Sequence, residues 1–75
     1  MQYLIEVLTE IKDGVDFETV EDLIDGRHLD SLDILQIVAA INEEFDISIP
    51  ASEIIPENFN SAKRMWEMIK RLEDE

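Results

Sequence analysis

Seventy-five residues make one small domain, 1–75, near the lower limit at which an apolar core alone can hold a fold. There is no cysteine, so neither a disulfide nor a thiolate metal site can help, and the 45% hydrophobic content must carry the structure. The formal charge is −13, with thirteen acidic residues against the single Arg27 between Asp13 and Ala62; such an anionic surface argues against nucleic acid or an anionic membrane and suits partners bearing Lys or Arg. No apolar run is long enough to span a bilayer. Residues 1–6 carry no basic group ahead of their apolar side chains, so no secretory signal is expected. The expectation is a soluble, cytoplasmic monomer, and the Met1 start without flanking linker sequence favours a discrete polypeptide.

The spacing of Leu4, Leu8 and Ile11 predicts a first helix over residues 2–12, with Gly14 as a C-terminal stop. A long connection follows over residues 15–29. Val15, Phe17, Val20, Leu23, Ile24 and Leu29 recur through it irregularly, so it is expected to be pinned across the bundle, with a helical turn over residues 20–24. The second helix is predicted from Asp30 or Ser31 to about Phe45, with Ile34, Ile37, Val38, Ile41 and Phe45 as its core stripe. Leu32, Leu35 and Ala39 form a weaker second stripe. In so small a domain that spare face suits partner docking, at Leu32 and Ala39 at least.

Residues 46–50 alternate like a strand but have no partner strand, and read as an extended connector that places Ile47 or Ile49 on the core. A short helix is expected over residues 51–55, stopped by Pro56. Residues 58–61 offer helix-capping side chains, with Phe59 packing back on a last helix over residues 61–72. Its core face is Ala62, Met65, Ile69 and Leu72, Trp66 adjoins it, and residues 73–75 are expected to fray. The predicted fold is all-α: a small bundle of three to four helices with a long first loop and a short third helix.

Ser31 is the residue with chemical interest. With Asp30 as N-cap and Asp33 at N3, an acidic capping box satisfies the helix start and leaves the Ser31 hydroxyl free for solvent. Ser61, the other serine at a helix start, is followed by Ala62, Lys63 and Arg64 and has only capping to recommend it. A Ser31–His28 hydrolase is disfavoured, because there is no Gly-x-Ser-x-Gly elbow and little room for an oxyanion hole. The acid-rich stretch 13–25 does not match a calcium-binding loop. No catalytic residue and no metal ligand is therefore assigned.

Three pieces, Asp30-Ser31-Leu32-Asp33, the run Asn42-Glu43-Glu44-Phe45-Asp46-Ile47 and the dipeptide Ile49-Pro50, stand in a spacing that resembles the acyl carrier protein family over essentially the whole chain. The resemblance implies an acyl-carrier-like bundle, not an enzyme, in which Ser31 receives 4′-phosphopantetheine from coenzyme A through a Mg²⁺-dependent phosphopantetheinyl transferase. It implies that the arm's thiol carries acyl or aminoacyl thioesters between loading and acceptor enzymes. Asp30, Asp33 and Glu43 would meet Lys or Arg of those partners, Leu32 and Ala39 would make the apolar contacts, and Gln36 would share that surface. Ile37 and Ile41 match positions that can line an acyl-chain pocket. Gln36 and Asn42 replace glutamates common in fatty-acid carriers, while Asp25-Gly26-Arg27-His28-Leu29 and Asn58-Phe59-Asn60-Ser61 look closer to D-alanyl or peptidyl-type carriers. The cargo stays open among fatty acyl, D-alanyl, other aminoacyl and polyketide units. The alternative to a carrier is an unmodified acidic interaction domain that binds a basic protein.

Overall fold

The first helix, α1 (Gln2–Ile11), ends as Lys12 turns extended and donates its N–H to Leu8. Gly14 lies two residues further on with φ +89°, a conformation that costs a Cβ-free residue little. The computed structural model describes residues 1–74. Three more helices follow, α2 (Ser31–Glu44), α3 (Pro56–Phe59) and α4 (Ala62–Glu73), with a 3₁₀ turn at Ala51–Glu53; among the described residues there is no strand. None of the helices is long and apolar enough to cross a membrane.

The helices close around one apolar core. Leu4 and Leu8 of α1, Ile37 and Ile41 of α2, Phe59 of α3, and Met65, Met68 and Ile69 of α4 are all essentially inaccessible. The long connection is pinned as its apolar pattern required, with Phe17, Leu23 and Leu29 buried and Val15, Val20 and Ile24 packed partly against the core. Its turns, however, lie at residues 17–19 and 23–27 and not at 20–24. Leu23 sinks into the core and its carbonyl accepts from the N–H groups of His28 and Leu29, so the chain closes after Leu23. Both isoleucines of the connector 46–50 reach the core, Ile49 fully and Ile47 in part.

Pro56 is a second correction. It was expected to stop a helix over residues 51–55, but it begins one, standing at the first helical position of α3. There its missing N–H costs nothing and its fixed φ suits the helix. Of residues 51–55, only Ala51–Glu53 coil, as the 3₁₀ turn. That turn is tied to α3 and α4: the Asn58 amide donates to the Glu53 carbonyl at 2.7 Å, and Arg71 grips the Glu53 carboxylate at 2.6 and 3.0 Å. Ser61 caps α4 by accepting from the Arg64 N–H. Met68 joins the expected core residues of that helix, and Leu72 is half-buried. Of the expected fraying tail, Glu73 is the last residue of α4, Asp74 is its C-cap, and Glu75 lies outside the described residues.

Candidate functional site at the start of α2

At the start of α2 the backbone polar groups are satisfied locally. Asp30, in extended conformation, accepts from the Asp33 N–H at 2.9 Å, and Asp33 accepts from the Asp30 N–H at 3.1 Å. This reciprocal box uses two carboxylates where a Ser and a Glu are more usual. Ser31 is the first helical residue and does not take part. Its side chain is exposed and, among the described residues, makes no hydrogen bond. A serine hydroxyl is a weak nucleophile unless an adjacent base or another enzyme activates it. What the arrangement can do is offer an oxygen to a group brought by another protein.

Asp33, expected as a partner contact, is also engaged within the chain. Its carboxylate lies 3.1 Å from Lys12 Nζ and its side chain is only 13% exposed. The Asp30 N–H, and then Lys12, hold its pKa below the ordinary carboxylate value. The pair links the end of α1 to the start of α2. Lys12 had no role in the sequence reading, because the pairing joins residues far apart along the chain.

The other expected docking residues share the outer face of α2. Asp30, Leu32, Gln36, Ala39 and Glu43 are exposed. Leu35, on the same stripe as Leu32 and Ala39, is exposed beside them. Leu32 is 64% and Leu35 62% exposed, an unusual degree for leucine on a helix whose other face fills a core. The C-terminus of α2 closes differently. Asp46 adopts φ +52° and the Ile47 N–H reaches back to the Asn42 carbonyl at 3.3 Å, a helix stop that needs no glycine. The Asn42 side chain then accepts from the Ile49 N–H, so this residue fastens the connector and does not serve as an exposed contact.

Ile37 and Ile41, expected to line an acyl pocket, are fully buried within the closed core. An apolar crevice of about 70 Å³ opens elsewhere, lined by Ile24, Ile34, Ile54, Ile55, Pro56 and Phe59. It lies between α2 and the segment leading into α3.

An exposed serine at the start of α2 and a leucine-bearing face beside it are what the chain presents to other molecules. Comparison with known proteins gives the family. The family model described as the phosphopantetheine attachment site matches residues 21–69. The chain is 31% identical to the D-alanyl carrier protein of Lactobacillus delbrueckii subsp. bulgaricus, over 96% of this chain and 91% of that protein. It is 31% identical to the D-alanyl carrier protein of Streptococcus uberis, over 93% of this chain and 80% of that one. A stretch covering 55% of this chain and 46% of the relative is 42% identical to aminoacyl carrier protein 1 of Bradyrhizobium diazoefficiens. The chain belongs to the phosphopantetheine attachment family, close to its D-alanyl carriers: it bears a phosphopantetheine arm and shuttles acyl or aminoacyl groups.

Proposed function

We propose that Ser31 is the attachment residue and that the chain hands a small aminoacyl group, of the D-alanyl class, between a loading enzyme and an acceptor. The observation that carries the first half is the exposed Ser31 side chain, left out of a capping box that Asp30 and Asp33 complete alone. The residues fit the group. The amino-terminal end of α2 favours the charge of a phosphodiester at Ser31, and Lys12 offsets Asp33, leaving Asp30 as the main opposing charge. When bound, the arm supplies a thiol that holds the cargo as a thioester.

In attachment the Ser31 Oγ forms the new bond to phosphorus as the pyrophosphate link of coenzyme A breaks. Adenosine 3′,5′-bisphosphate leaves, and the serine proton passes to a base of the transferase. Leu32, Leu35 and Ala39 would dock apolar groups of partner enzymes, with Asp30, Gln36 and Glu43 around them. Exposed ion pairs contribute only about 0–1 kcal/mol each, so such complexes separate readily, as a shuttle requires. The aminoacyl class rests on the names of the relatives.

The test is intact-mass measurement after incubation with coenzyme A, Mg²⁺ and a broad-specificity phosphopantetheinyl transferase. A phosphopantetheine-sized gain that disappears in Ser31→Ala is expected. A gain that persists in Ser31→Ala moves the attachment to another residue. Mass spectrometry of the protein from its native cells, catching the loaded thioester, identifies the cargo.

A further inference from the structure

We propose that Asn60, at the junction of α3 and α4, is a positioning residue for the modification of Ser31. This rests on Ser31 being the attachment residue. Four hydrogen bonds join Asn60 to the connection that leads into α2. Its backbone carbonyl accepts from the Leu23 N–H at 2.8 Å. Its side-chain Oδ1 accepts from the N–H groups of Ile24 and Asp25 at 3.0 and 3.1 Å, and its Nδ2 donates to Asp25 Oδ2 at 3.1 Å.

The chain continues from that clasp to the serine without slack. The Leu23 carbonyl, fixed by the buried Leu23 and the Asn60 clasp, accepts from His28 and Leu29 at 2.9 and 3.1 Å. Arg27 turns through φ +61° inside this loop, a costly conformation for a residue with a Cβ that the surrounding bonds hold in place. Leu29 is buried and Asp30 caps α2, so the next residue is Ser31. Asn60 touches neither Ser31 nor any reacting atom. It sets where the segment 23–30 sits, and thereby how the hydroxyl meets a transferase already docked on α2.

An amide suits this place because it accepts two N–H bonds with one end and donates to a carboxylate with the other. Asn60→Asp keeps both acceptor bonds but sets a carboxylate oxygen against Asp25 Oδ2. Adding Asp25→Asn restores the donor with the two roles exchanged and the net charge of the wild type.

The experiment measures steady-state kinetics of phosphopantetheine transfer from coenzyme A, alongside thermal unfolding. It compares wild type, Asn60→Asp and the double exchange at a temperature where all three are folded. Misplacement of the hydroxyl lowers kcat by about fivefold or more in Asn60→Asp with KM nearly unchanged, because the docking face is untouched. The double exchange returns kcat to within about twofold of wild type, as expected for a pair that acts together. Wild-type kcat in folded Asn60→Asp, or a double exchange as slow as the single variant, overturns the proposal. A wild type that gains no mass overturns the Ser31 reading and this inference with it, whereas an unmoved variant beside a modified wild type overturns this inference alone.

Discussion

The carboxylate of Asp33 receives the Asp30 N–H and faces Lys12, and both favour its ionised form. Its pKa in the folded chain therefore lies below the ordinary value of 3.8. A depressed carboxylate stabilises the fold fully above the unfolded-state pKa and loses that contribution as pH falls through the folded-state value. Asp33→Ala should accordingly lower stability at pH 7 by about 1 kcal/mol, the usual cost of a lost capping interaction. The gap between variant and wild type should narrow as the pH falls below 3.8. Urea unfolding of both proteins at neutral and acid pH checks this, and a gap that is constant with pH would show that the charge of Asp33 is not what matters.

At the scale of the element, α2 carries two opposite faces, and substitutions on them should separate folding from docking. Ile37 is fully buried, so Ile37→Ala should cost about 2–5 kcal/mol. That is a large share of the roughly 5–15 kcal/mol by which domains are stable at all. Leu35, at 62% exposure, behaves otherwise: Leu35→Arg should shift stability by no more than about 0.5 kcal/mol. It should nonetheless raise the KM of the transferase by a charge and a bulk that the docking face does not carry. Chemical denaturation and transfer kinetics on the two variants read these effects separately. Should Leu35→Arg transfer as well as wild type, the face does not dock this enzyme.

For the whole molecule, the formal charge of −13 acts on folding and on binding with opposite signs. Like charges repel within the folded chain, and salt screens them; opposite charges attract across an interface, and salt screens these too. Raising NaCl from about 20 to 200 mM should therefore raise the unfolding midpoint while it raises the KM for transfer. Thermal unfolding and steady-state kinetics in the same buffers make the comparison. If both quantities are insensitive to salt, the acidic surface guides neither process.

Periodicity and capping chemistry are local, and they were legible along the chain. The apolar spacing marked α1, α2 and α4 to within a residue or two, and Asp30 with Asp33 marked where α2 begins and left Ser31 free. What was not legible depends on what surrounds a residue. Pro56 can end one helix or begin the next with equal local logic, and packing of Phe59 into the core selects the second. Asp33 reads as a surface charge until α1 brings Lys12 against it, and Asn60 reads as a helix cap until the segment 23–25 folds onto it. The order of residues by itself determined the three longer helices and which hydroxyl stands at a helix start. Only the tertiary structure decided which polar groups are consumed internally and which remain for a partner, because hydrogen bonds and ion pairs act over a few ångströms of space regardless of distance along the chain.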